Sequence, residues 1–163
     1  MKTQAEIVVL GAGIAGLCAA RVLHEAGREV LVVARELGEA SRVPDALLNP
    51  VRGKRGTVAP EAEEALEALW DFYPRFGAVR QGILRPVPQS DRPVWQQKLQ
   101  GRRIPHLWLE EGLYLENAGW LETTPLLHRL AEGLNILYAS VERLESGVAW
   151  LEDGRKLAGK VLV

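Results

Sequence analysis

The residues best suited to chemistry are three glycines, Gly11-x-Gly13-x-x-Gly16. A continuous apolar run, Ile7-Val8-Val9-Leu10, comes directly before them, as a strand buried on both faces would read. Leu17 to Ala26 follows, with Ile14, Leu17, Cys18, Val22 and Ala26 at helical spacing and Gly27 as a stop. Val30-Leu31-Val32-Val33 is a second buried strand. Strand, glycine turn, helix and strand in this order make a βαβ unit, the setting that gives such glycines a meaning. Gly11 makes the tight turn, Gly13 lets a pyrophosphate approach the backbone, and Gly16 lets the helix pack close to the strand. The first helical amides, among Ala12, Ile14 and Ala15, then hold phosphates with help from the helix dipole. The chemistry implied is dinucleotide binding. The alternative on the same residues is a glycine turn in a βαβ unit that holds no ligand.

A dinucleotide site also needs an Asp or Glu at the end of the second strand, to receive ribose hydroxyls. The chain reads Val32-Val33-Ala34-Arg35-Glu36, so the position itself is Ala34. Glu36 serves only if the strand end bends, and Arg35 suits the adenosine side or a 2′-phosphate; both also read as a solvated strand end. Arg52, Lys54 and Arg55 form a basic cluster that suits phosphates, an anionic substrate or simply water. Cys18 reads as packing, and His24 suits the end of its helix. His106 reads as a structural histidine.

The composition bounds the rest. The 163 residues hold one ordinary domain or a piece of something larger, 47% hydrophobic and 25% charged. Lys plus Arg is 20 against 21 for Asp plus Glu, so no global charge recruits nucleic acid or a membrane surface. One cysteine excludes a disulfide framework, and three dispersed histidines show no metal-ligand spacing. No apolar stretch approaches the roughly 20 residues that span a bilayer, and no secretory signal opens the sequence. A soluble cytoplasmic protein is the expectation.

Further along, Leu37 to Gly56 reads as irregular. A helix is expected from about Pro60 to Tyr73, with Ala62, Ala65, Leu66, Leu69 and Tyr73 on one face. Gly82–Val87, Trp108–Leu109 and Gly112–Leu115 read as short strands of a sheet-rich insert. Thr124-Pro125 opens a helix bearing Leu126, Leu127 and Leu130. Asn135–Tyr138 reads as a strand, and Val141–Leu157, with turn signals at Ser146-Gly147 and Asp153-Gly154, as a β-meander. Val161-Leu162-Val163 is expected to be a buried strand beside Ile7–Leu10. A strand there, with no helix after it, leads us to expect the N-terminal part of a longer chain.

Ile7 to Leu17 resembles the opening of FAD-dependent oxidoreductases of the D-amino-acid oxidase and glycine oxidase type, and of the FAD domain of the bifunctional tRNA wobble-uridine-modifying enzyme. Ala40-Ser41, then Ala46-Leu47-Leu48-Asn49-Pro50, resembles that family's loop from the pyrophosphate toward the flavin. Gly82-Ile83-Leu84-Arg85-Pro86, Asn117-Ala118-Gly119-Trp120-Leu121 and Pro125-Leu126-Leu127 resemble later landmarks. Val141-x-x-Leu144-Glu145 resembles the segment whose valine backbone meets the adenine. Arg42-Val43-Pro44-Asp45 departs from the family, which has small residues there. The resemblance implies an α/β fold: a Rossmann-like FAD-binding βαβ core with a parallel sheet, a β-rich insert and a β-meander. The segments expected are 1–76 and 120–163 for the core, and 77–119 for the insert. It implies FAD as cofactor, held by Gly11 to Gly16, Arg35, Glu36, Ser41, Arg42, Ala46, Leu47 and Val141. Trp120 is the tryptophan to test for closeness to the flavin. The implied reaction is oxidation of the C–N bond of an amine or amino acid by hydride transfer to flavin; no catalytic residue is assigned. Two other classes fit the sequence: a non-catalytic FAD- or NAD(P)-binding module completed by a partner chain or by a missing C-terminal half, and a vestigial domain without nucleotide.

Overall fold

In the computed structural model, which describes residues 4–53, 56–77, 79–145 and 148–162, the chain divides into two compact units. One takes in Met1–Pro44 and Thr123–Val163, the other Asp45–Glu122. Along the chain, β1 is Gln4–Leu10, α1 Ile14–Glu25 and β2 Val30–Ala34; a 3-10 turn follows at Glu39–Ser41. Then come β3 (Asp45–Leu48), β4 (Val51–Arg52), β5 (Thr57–Val58), α2 (Ala62–Phe72), β6 (Val79–Pro86) and α3 (Arg92–Leu99). β7 (His106–Trp108), β8 (Gly112–Glu122), α4 (Thr123–Ala131), β9 (Asn135–Tyr138), β10 (Val141–Glu145), β11 (Val148–Leu151) and β12 (Lys156–Leu162) complete it.

The first unit is built on a sheet of order β10-β11-β12-β1-β2-β9. Within it, β12, β1, β2 and β9 run parallel, with Ile7 opposite Val30, Leu10 opposite Val33, and Ala34 opposite Tyr138. Parallel strands are covered on both faces, which is why their sequences are unbroken apolar runs. Val8, Leu31, Val32 and Val33 are accordingly buried. β10, β11 and β12 form the antiparallel meander. Val8 lies opposite Val161, so the late apolar run sits beside β1 on the side away from β2, as expected. Val161 is half-buried, and Val163 lies outside the described residues, as does the Ser146-Gly147 turn.

The buried stripe of α1 differs from the sequence reading. Leu17 and Ala20 are buried, whereas Val22 is 54% exposed and Ala26 is exposed. The cause lies in Arg21. Its guanidinium donates to the carbonyls of Leu130, at 2.7 and 3.2 Å, and of Glu132, at the C-terminal end of α4. A cation there meets the negative end of the α4 dipole and its unpaired carbonyls. The side of α1 that carries Arg21 therefore faces α4, and Val22 turns to solvent.

The second unit contains the expected 77–119 insert but starts earlier, at Asp45, because β3 pairs antiparallel with the end of β8. Leu37 to Gly56 is therefore not irregular throughout. β8 runs for 11 residues, well past the expected Leu115, with β6 along one side and β3 and β7 along the other. α2 begins at Ala62 rather than Pro60, and Ala65 is exposed where an inward residue was expected. α3 was not expected at all. Its only buried side chains are Trp95 and Leu99, one turn apart, so its sequence carries too short an apolar pattern to declare a helix. Those two nevertheless enter a core with Val51, Val87, Ile104, Leu113, Leu115 and Ala118.

Replacing Arg21 with Ala should lower stability by about 1.5–3 kcal/mol, the range for hydrogen bonds to a charged group. Thermal denaturation followed by circular dichroism reads this, and Arg21→Lys, lacking the fork, should recover only part. At the β11–β12 turn, Arg155 holds the Asp153 carboxyl below the ordinary carboxylate range, chiefly through a side-chain hydrogen bond. A depressed folded-state value means that this contribution is present above the ordinary range and lost as pH falls through the depressed value. Asp153→Asn should therefore flatten the acid limb of a melting temperature against pH profile.

Candidate functional site

The glycine loop joins β1 to α1 in the first unit. Gly11 has φ of +105°, which a side chain disfavours, and its N–H donates to the Val33 carbonyl at 2.8 Å. This bond ties the loop to the end of β2. A Cβ on Gly16 would lie 2.1 Å from the Gly11 carbonyl oxygen, so only glycine lets the first turn of the helix sit over the strand end. Ala12 is fully buried, and Ala15 is exposed at the helix start.

Gly13 is the N-cap of α1 and has no side chain to cap with. Ser41 does so instead, from 27 residues away: its Oγ accepts the Ile14 N–H at 3.1 Å. A Cβ on Gly13 would stand 3.1 Å from that same Oγ. The missing side chain thus makes room for Ser41, beyond the role in pyrophosphate approach read from the sequence. The turn carrying Ser41 is fastened to the loop a second time, by the Gly38 N–H to the Ala12 carbonyl at 2.9 Å. The amides of Ala15 and Gly16 belong to the first turn and have no intrahelical acceptor. A cradle of glycines, a hydroxyl and two such amides at the positive end of a helix dipole fits phosphate oxygens.

The remaining candidates fall in three places. Arg35, Glu36 and Arg42 lie just beyond β2, beside the loop. Arg42 pairs with Glu36 at 2.8 Å, and Arg35 with Glu39 at 3.6 Å. Val141 opens β10 opposite Leu151 and packs with Leu10 against the core of the sheet. Ala46 and Leu47 are in β3 of the second unit, opposite Leu121 and Trp120. There Leu47 to Pro50 line a cavity of about 220 Å³ with Arg52, Ala62 and Leu66. Arg80 lies over the Trp120 ring at 5.1 Å. Arg52 is exposed, and the Lys54 and Arg55 of the basic cluster lie outside the described residues. His106 is structural, its Nδ1 2.7 Å from the Ile104 carbonyl. Among the described residues, no group of three metal-ligating side chains forms a metal site.

Sequence reasoning passed over two residues that shape this region. Thr123 is fully buried, and its Oγ1 donates to the Val43 carbonyl while its N–H donates to Pro44. Glu39 folds back so that its Oε1 accepts the Arg35 N–H at 3.2 Å. The available signal for Glu39 was the preceding Gly38, which permits a reversal of the chain.

The model of the FAD dependent oxidoreductase family matches residues 6–157. The chain belongs to this family. Glycine oxidase from Geobacillus kaustophilus superposes with a TM-score of 0.78 over 97% of this chain and 54% of its own, at 16% identity. L-Amino acid deaminase from Proteus myxofaciens, solved with anthranilate, gives 0.74 over 99% and 45%, at 18% identity. At that identity the likeness is one of fold. Squalene epoxidase erg1 of Schizosaccharomyces pombe is 34% identical over 73 residues, 43% of this chain and 16% of that protein. The chain thus spans about half the length of these solved structures and less of the epoxidase. As in the rest of the family, the cofactor is FAD.

Ser41→Ala should cost about 1 kcal/mol, as loss of an N-cap does. Gly13→Ala should cost a similar amount by displacing the Ser41 hydroxyl. Because both act through one contact, the double variant should melt close to either single one, and a fully additive loss would show that Ser41 and Gly13 act independently. Gly13→Leu should abolish FAD retention, read from the visible spectrum of the purified protein.

Proposed function

We propose that this chain is the FAD-binding portion of an oxidoreductase that oxidises the C–N bond of a small amine or amino acid. The observation that carries the proposal is the phosphate cradle of Gly11, Gly13, Gly16 and Ser41, in a chain whose fold is shared with proteins named glycine oxidase and L-amino acid deaminase. FAD bound there would supply the acceptor for the hydride from the carbon bearing nitrogen, the nitrogen losing a proton to leave an imine. The residues of this chain bind and orient. The α1 amides and Ser41 fix the pyrophosphate, and Val141 is the proposed further contact along the cofactor. Arg35, Glu36 and Arg42 flank the adenosine end.

The test is anaerobic addition of glycine, D- and L-amino acids and simple amines to the FAD-loaded chain. Bleaching of the flavin bands by an amine is the expected result. A flavin that binds but is bleached by none of them would favour a cofactor module completed by another chain. Absence of colour with retained nicotinamide binding would overturn the FAD reading of the site.

A further inference from the structure

We infer that Glu39 supplies the carboxylate that receives the adenosine ribose hydroxyls, and that it thereby selects a nucleotide with a free 2′-hydroxyl over a 2′-phosphorylated one. The inference rests on the FAD reading of the site. A dinucleotide site of this kind needs an anionic acceptor where its second strand ends. β2 ends at Ala34, a methyl group 5% exposed, which offers none. Glu36 lies nearer in sequence, but its carboxylate holds Arg42 at 2.8 Å.

Glu39 is five residues past the strand, yet its carboxylate is at the strand end. Its Oε1 accepts the N–H of Arg35, the first amide beyond β2. Three features hold it there. Its own φ is +32°, making it the sole non-glycine residue with positive φ among the described residues, a conformation side chains rarely adopt. The preceding Gly38 is bonded to Ala12 of the glycine loop, and the Ser41 hydroxyl two residues on is bonded to Ile14. The carboxylate and the phosphate cradle are therefore parts of one hydrogen-bonded piece of backbone. Among the described residues nothing bonds Oε2, which leaves a charged acceptor for a hydroxyl. The same negative charge opposes a 2′-phosphate. Arg35, 72% exposed and already 3.6 Å from Glu39, is the competing reader of that position.

The experiment is calorimetric titration of the full chain with ADP, 2′-deoxy-ADP and 2′,5′-ADP, in wild type, Glu39→Gln and Glu36→Gln. Glutamine keeps an oxygen for the Arg35 N–H, so the turn should persist, which the melting temperature of each free variant checks. Wild type should bind ADP about tenfold more tightly than 2′-deoxy-ADP, as loss of a charge-assisted hydrogen bond predicts. Glu39→Gln should lose about the same factor for ADP, show little further loss with 2′-deoxy-ADP, and gain affinity for 2′,5′-ADP. Glu36→Gln, whatever it does to affinity through Arg42, should keep the full tenfold preference for ADP over 2′-deoxy-ADP. Unchanged ADP affinity in Glu39→Gln, or a full deoxy penalty persisting in it, would overturn the assignment while leaving the FAD reading intact. Wild-type preference for 2′,5′-ADP would overturn it in favour of Arg35. A wild type that binds neither ADP nor FAD overturns the cofactor reading and this inference with it. The wild-type comparison of ADP with its deoxy form needs no variant, so a poorly folding Glu39→Gln would not shield the proposal.

Discussion

The hydrogen bond from the Ile14 amide to the Ser41 hydroxyl links the glycine loop to the turn that follows β2. A helix beginning on glycine has no side chain of its own to satisfy its first amides, and a bare helix end near a strand tip costs free energy. Here the cap comes from a turn that must first leave β2, reverse at Gly38 and return. One short contact thus demands a glycine at position 13, a hydroxyl at 41 and a reversal between them. Without it, the glycine loop would remain a turn, and the segment after β2 would be held beside it by the Gly38 amide alone.

The sheet beneath supplies the rigidity that this contact needs. Val8, Val32 and Leu137 are buried in adjacent parallel strands. Fully burying a side chain of this size is worth about 1.5–3 kcal/mol. The Gly11 amide bonds to Val33 and the Ala139 amide to Ala34, so the C-terminal ends of three neighbouring strands are joined where the loop begins. Ligands of open α/β sheets sit at such strand ends, where loops are positioned by elements that do not move.

What the sequence made legible was whatever repeats a physical requirement at every residue. Ile7–Val9 of β1 and the whole of β2 are buried on both faces and say so in each side chain, whereas β9, at the sheet edge, buries only Leu137. The glycines declare themselves because each solves a steric problem within the loop. α3 was hidden because its burial rests on Trp95 and Leu99 alone, while Pro93 and two glutamines speak for a loop. β3 was hidden because its pairing partner, Gly119–Glu122, lies far along the chain. Val22 was misplaced because the orientation of α1 is decided by Arg21 and by carbonyls more than a hundred residues away. Glu36 was the natural candidate near the empty strand end, since distance along a chain is visible in sequence and a reversal at Gly38 is not.

Thr123 and Pro44 meet through the Thr123 amide, and the Thr123 hydroxyl reaches Val43. The chain therefore leaves the first unit and re-enters it at one stitched point, and Asp45 to Glu122 is a closed excursion between them. During synthesis on a ribosome, β1, α1 and β2 emerge first but wait for α4 and β9, whereas the excursion is complete as soon as β8 has been made. The second unit can settle before the first is finished. Its closure then brings the two sides of the stitch together and lowers the entropy cost of joining β9 to β2 across the intervening chain. Insertions or deletions within the excursion should for the same reason be far better tolerated by the first unit than a change at Thr123 itself.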